Sequence, residues 1–82
     1  MKYEFSLILA APDVSDEEAE KLYEAGCDDG SILSRGDVTV VQFDRDARTL
    51  EEALASAIRD VESAGFQVDR VEIERHEVPQ IA

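Results

Sequence analysis

Residues 3–10 alternate, with Tyr3, Phe5, Leu7 and Leu9 on one side and Glu4, Ser6 and Ile8 on the other. A period of two predicts a half-buried strand. Ala11-Pro12-Asp13 ends it, and the period then changes. Ser15 followed by Glu18 three residues later is a capping box that opens a helix. Val14 and Ala19 can staple its start; Ala19, Leu22 and Tyr23 form a narrow apolar stripe, and Gly26 suits a left-handed stop. Cys27 to Gly30 reads as a polar turn and Ser31 to Ser34 as a short strand. Arg35-Gly36-Asp37 reads as a hairpin turn, and Val38 to Phe43 as the clearest strand. Asp44 to Arg48 is expected to leave it. Thr49 with Glu52 forms a second capping box. Leu50, Ala53, Leu54, Ala57, Ile58, Val61 and Ala64 then recur at helical spacing until Gly65. Phe66 to Asp69 connects to a last alternating stretch, Arg70 to Glu77, and Pro79 ends regular structure.

The order β-α-β-β-α-β predicts an α+β domain of the ferredoxin-like type. A four-stranded antiparallel sheet carries two helices on one face, with the first and third strands central. Residues 1–82 form a single domain on this reading. The expected core is Phe5, Leu7, Leu9, Leu22, Val41, Phe43, Leu54, Ile58, Val61, Val71 and Ile73. The other sheet face is expected to be open and to carry Glu4, Ser6, Ile8, Val38, Val40, Gln42, Glu72 and Glu74. Its apolar middle, Ile8, Val38 and Val40, suggests a dimer or partner interface. Isolated surface apolars are the plainer alternative.

Charge changes the picture most. Twenty acidic residues stand against eight basic ones in 82, a formal net charge of −12. Such a chain repels phosphates, so direct binding of nucleic acid or an anionic membrane through a basic patch is excluded. An apolar fraction of 44% argues against disorder. The lone Cys27 permits neither an internal disulfide nor a thiolate metal site, which fits a reducing compartment. No run approaches the roughly 20 apolar residues of a membrane span, and Glu4 interrupts the start where a signal peptide turns apolar. The expectation is a cytoplasmic protein without cofactor.

No residue set reads as catalytic. His76, between Arg75 and Glu77, is expected to be an exposed strand-end residue rather than a base. Cys27 follows a helix C-terminus and precedes Asp28 and Asp29, all unfavourable to a thiolate. Asp28-Asp29-Gly30-Ser31 has some character of a cation loop, but the ligand spacing of a calcium site is missing. Asp44 and Asp46 read as a solvated turn. Other activities hosted by this fold are disfavoured. There is no Asn for an acylphosphatase-like site and no cysteine pair for a metal carrier. The sheet face has no basic or aromatic set for RNA, and no glycine-rich first loop suits amino-acid sensing. A non-enzyme is expected, with His76→Ala and Cys27→Ser neutral for function.

The acids are unevenly placed. Residues 13–29 hold Asp13, Asp16, Glu17, Glu18, Glu20, Glu24, Asp28 and Asp29 against Lys21 alone, a local charge of −7. Glu17, Glu20 and Glu24 follow i, i+3, i+7 spacing and line one helix edge, advancing about 4.5–6 Å per step. A rigid row of carboxylates at that pitch resembles the charge repeat of a nucleic-acid strand and suits a lysine- and arginine-lined groove. The competing reading is a solubilising surface with acids favoured near the helix N-terminus.

Two stretches resemble a known group. They are Glu24-Ala25-Gly26-Cys27-Asp28-Asp29, and Phe43-Asp44-Arg45-Asp46-Ala47 leading to Glu52-Ala53, Ser56-Ala57 and Asp60-Val61. With the first strand they resemble the N-terminal ferredoxin-like domain of small, poorly characterised bacterial proteins that continue into a helix-turn-helix segment. The similarity spans about residues 3–75. This sequence stops at Ala82, where that segment would begin, so the resemblance implies a sensing or pairing module, acting alone or cut from a longer chain. A second likeness, in size and charge only, is to phage anti-CRISPR proteins. The expectation that results is an acidic inhibitor of the anti-CRISPR or DNA-mimic type. It would be a monomer or homodimer docking a basic nucleic-acid-binding partner through Asp13, Asp16, Glu17, Glu20, Glu24, Asp28 and Asp29. The alternative is a stand-alone regulatory or antitoxin-like dimerisation module.

Overall fold

Local chemistry sets the boundaries of each element in the computed structural model, which describes residues 1–11 and 14–73. The chain runs through β1 (Lys2–Leu9), α1 (Asp16–Glu24), β2 (Gly30–Arg35), β3 (Val38–Asp46), α2 (Leu50–Ser63) and β4 (Val68–Ile73). At α1 the capping box closes in both directions: Glu18 N donates to Ser15 Oγ at 3.2 Å, and Ser15 N donates to Glu18 Oε1 at 3.1 Å. Gly26, at φ +119°, turns the chain out of the helix. At α2 only half of the expected box forms. Glu52 N donates to Thr49 Oγ1 at 3.1 Å, but the Glu52 carboxylate turns to Arg48 Nη2 at 3.0 Å.

The sheet order is β2-β3-β1-β4, all antiparallel, so the fold is ferredoxin-like with β1 and β3 central. Gly36 at φ +63° makes the tight turn between Arg35 and Val38, which pair directly. Phe5, Leu7, Leu9, Val41 and Phe43 face both helices. They form one core with Leu22 and Cys27 from the α1 side and Ala53, Ala57 and Val61 of α2. Phe5 and Phe43 stack across the central strands at 5.4 Å.

Three expectations need correction. First, β3 does not end at Phe43: Asp44, Arg45 and Asp46 continue the ladder opposite Glu4, Tyr3 and Lys2. An acid-base-acid triplet looks like a turn, yet the β1 register extends beneath it. Second, Val68 and Asp69 belong to β4 rather than to a connection, and the register slips between Ile8 and Leu9. The expected continuation of that strand through residues 74–77 lies outside the described residues. Third, Leu54, Ile58, Val71 and Ile73 are only partly buried against the core. The face of α2 that meets the sheet is Ala53, Ala57 and Val61, whose small side chains let the helix approach closely, and β4 is an edge strand.

Candidate functional site

Arg45 continues the helix-facing register of Val41 and Phe43, and only 8% of it is exposed. A buried guanidinium is tolerable only when its donors are met, and all five are. Nε and Nη2 grip Asp29 in a two-pronged pair, each at 2.8 Å. Nη1 reaches Ser56 Oγ and Asp60 Oδ2, both at 3.0 Å, and Nη2 also donates to Gly26 O at 2.7 Å. The guanidinium carbon lies 5.0 Å from the centre of the Phe43 ring. Ser56 and Asp60, four residues apart, present one face of α2. Arg45 thus ties the α1–β2 loop, β3 and α2 into one node. Hydrogen bonds from Arg45 hold the Asp29 carboxyl below the usual carboxylate range, and Asp29 in turn pushes Arg45 up. With every donor engaged, Arg45 has none left for an anionic ligand.

The expected partner-binding acids therefore divide. Asp16, Glu17, Glu20, Glu24 and Asp28 are exposed, and none joins an ion pair among the described residues. Asp29 departs from the expected free surface charge because its carboxylate is spent on Arg45. Asp13 lies outside the described residues.

The second sheet face also differs from expectation. Ile8 and Val40 pair with each other on that face, and both are fully inaccessible. Val38 is half-buried; Glu4, Gln42 and Glu72 are exposed, and Glu74 lies outside the described residues. Ile8 and Val40 are therefore not an exposed apolar patch. A bridge crosses this face: Arg35 on edge strand β2 reaches Glu72 on the opposite edge strand β4, with Nη1 at 2.8 and 2.9 Å from the two carboxylate oxygens. Arg35 starts beside Val38 and Glu72 beside Ser6, so the span runs over the Val40–Ile8 pair. The aliphatic stem of an arginine covers apolar surface while its head stays wet.

Beyond this bridge lies a cleft of about 580 Å³. Its floor is one transverse row of the sheet, Ser31, Gln42 and Ser6, bounded by Glu72. Glu4 and Asp44, directly opposite each other on β1 and β3, line its far end.

Cys27 is 2% exposed, and burial, reinforced by the nearby Asp60 carboxylate, pushes its thiol up to about 11. It packs in the core as a small side chain. His76 lies outside the described residues. Among the described residues no three His, Cys, Asp or Glu side chains are grouped to hold a metal ion, and no helix is long and apolar enough to cross a membrane.

Comparison with known protein families, curated proteins and solved structures finds no match. The Arg45 node and the Arg35–Glu72 bridge were missed by sequence reasoning. Arg45 had a usable signal, since it falls in the inward parity of Val41 and Phe43. The bridge joins residues 37 apart on opposite edges of the sheet and had none.

Proposed function

We propose that this chain is a non-enzymatic binding protein whose acidic α1 surface docks a basic, nucleic-acid-binding partner and excludes nucleic acid, an inhibitor of the DNA-mimic or anti-CRISPR type. The observation that carries the reading is the unneutralised row Glu17, Glu20 and Glu24 with Asp16 and Asp28 beside it. Among the described residues Arg35, Arg48 and Arg70 pair with acids elsewhere in the fold and Arg45 with Asp29 and Asp60, and no base pairs with this row, whose helix carries Lys21 alone. A fixed row of like charges speeds encounter with an opposite groove and weakens with salt. The triple reversal Glu17→Lys, Glu20→Lys, Glu24→Lys changes the net charge from −12 to −6. Exposed charges contribute little to stability, so the domain should stay folded while partner capture is lost. The test is a pull-down from host lysate at low and high salt, then a DNA-competition assay on the captured partner. Unchanged DNA binding at saturating protein defeats the reading.

A second reading, a regulatory or antitoxin-like dimerisation module akin to the N-terminal half of helix-turn-helix proteins, draws on edge strand β2. Leu33 is 45% exposed there, and the only charge on that strand, Arg35, is already paired with Glu72. Leu33→Lys should then dissociate a dimer in sedimentation. A monomer at about 100 µM, already the regime of weak association, removes this reading.

A further inference from the structure

The two edges of the sheet are built differently. Natural sheets guard an exposed edge with charge, proline or a bulge, because its free N–H and C=O groups pair with any extended chain. Edge strand β4 is guarded: it carries Asp69, Arg70 and Glu72, and its register against β1 slips beside Asp69. Edge strand β2, Gly30-Ser31-Ile32-Leu33-Ser34-Arg35, is not. It holds no proline and, alone among the six described elements, no acid. Its pairing with β3 is unbroken, and its one charge, Arg35, is held by Glu72. The outward backbone of β2 is also unpartnered. Arg35 and Val38 close a two-residue turn, and Asp44 N donates to Asp29 O, so residues 31, 33 and 35 share the parity that bonds to β3. The N–H and C=O groups of Ile32 and Ser34 then point away from the sheet. None of them makes a backbone hydrogen bond outside the ladder among the described residues.

We propose that β2 takes up an extended segment of a basic partner chain, which adds to the sheet as a further strand. Ladder bonds to Ile32 and Ser34 supply attraction whatever the segment's sequence, and side chains select it. Exposed acids stand at both ends of the strand, Asp28 before it and Asp37 in the turn after it. Neither joins an ion pair among the described residues. Leu33, 45% exposed, offers apolar contact between them. The segment that fits therefore has β-branched or apolar residues in its middle and Lys or Arg toward each end. The net charge of −12 favours its approach. A second copy fits worse. Antiparallel pairing of two β2 strands about Leu33 would set Asp37 of each copy opposite Asp29 of the other, next to Asp28, in chains that each carry −12. This occupant competes with the dimer for the same edge. It is separate from the α1 row, and either can fail alone.

The test is a two-dimensional amide NMR titration of the full chain with a capped synthetic peptide, Lys-Arg-Thr-Val-Thr-Val-Thr-Arg-Lys. The same peptide N-methylated throughout its Thr-Val core keeps the charge and removes the ladder donors. Saturating shifts over residues 31–35 and slowed exchange of the Ile32 and Ser34 amides are expected with the first peptide. The N-methylated peptide should bind about tenfold more weakly or worse. Leu33→Lys places a like charge against the segment, and Ser34→Pro removes an outward N–H, which an edge strand tolerates. Each should weaken binding about tenfold or more, whereas Glu17→Gln should not change it. Amide dispersion shows whether each variant is folded, and the comparison of the two peptides needs no variant. Equal binding of the two peptides would overturn the proposal. So would shifts centred on α1, or no saturation up to about 5 mM peptide. A free chain that sediments as a dimer and is dissociated by Leu33→Lys would give the edge to a second copy and would equally overturn it.

Discussion

Replacing Arg45 with alanine removes the one cation that holds three segments together, and its cost can be worked from the structure. Five hydrogen bonds vanish, three of them to carboxylates. Asp29 and Asp60, whose side chains are 31% and 19% exposed, are left facing each other's charge without a counter-ion. Breaking a buried pair from one side costs about 3–5 kcal/mol, and the partial exposure of both acids places this case near 3. A domain of 82 residues has about 4–12 kcal/mol in all. Urea unfolding followed by circular dichroism should show the midpoint falling by about 1–3 M at the slopes usual for small domains. Arg45→Lys should recover little, because one ammonium cannot span Asp29, Asp60, Ser56 and Gly26 together. Adding Asp29→Asn and Asp60→Asn to Arg45→Met should recover part of the loss, since the stranded charges go with the cation. Arg48→Ala, at a side chain 88% exposed in an i,i+4 pair with Glu52, should cost less than about 1 kcal/mol. If Arg45→Ala behaves like Arg48→Ala, the node is not structural. The pair also gives an acid limb. The folded-state pKa of Asp29 lies below its unfolded value of 3.8, so its stabilisation is complete above that pH and disappears as the pH falls through the lower folded value. Arg45→Met should flatten that limb.

Three other perturbations follow from single groups. Thr39 Oγ1 is buried without a hydrogen-bond partner among the described residues, so Thr39→Val should raise stability by about 1 kcal/mol in urea unfolding; a loss would show that the hydroxyl is satisfied. The Cys27 thiol, raised from 9.0 to about 11, binds its proton more tightly folded than unfolded, so stability should fall as pH rises from about 9 to 11, and the difference from Cys27→Ala should isolate that loss. Gly26→Ala should cost about 1–3 kcal/mol, because φ is +119° and the new Cβ would stand 2.6 Å from Asp60 Oδ2. Gly65→Ala, at φ +96° with nothing within 4 Å, should cost less in the same urea unfolding.

The ferredoxin-like order was legible because each element carries its own signal in few residues: alternation in β1, a complete capping box at Ser15, a glycine after each helix. Edges blurred where charge hid strand character, as in Asp44-Arg45-Asp46, whose pairing with β1 is invisible to local periodicity. Burial blurred for a related reason. Leu54 and Ile58 outrank Ala53 and Ala57 in apolar size, yet close approach of helix to sheet selects the small residues. The stretches around Gly26-Cys27-Asp28-Asp29, Arg45, Ser56 and Asp60 were recognisable as sequence. Only the folded chain shows that four of these positions meet at one guanidinium. The cleft was still less legible, since its floor combines three strands and its bridge a fourth.

Helix energetics separate a functional acid row from a merely solubilising one at Glu24. Asp16, Glu17 and Glu18 occupy the first turn of α1, where the helix dipole favours negative charge, so fold stability alone accounts for them. Glu24 is the last residue of the same helix, where the dipole disfavours an acid, and it has no ion-pair partner among the described residues. Stability alone would put a basic or neutral residue there. Glu24→Gln should therefore raise stability by about 0.3–1 kcal/mol at low ionic strength, with the gain shrinking as salt is added. Under the inhibitor reading the same substitution weakens partner capture, and Glu17→Gln weakens capture without the gain in stability. Parallel melts and salt-dependent binding of the two variants separate the cases. Should Glu24→Gln stabilise the domain and leave capture untouched, Glu24 falls outside the contact and the acid row no longer extends along the helix edge.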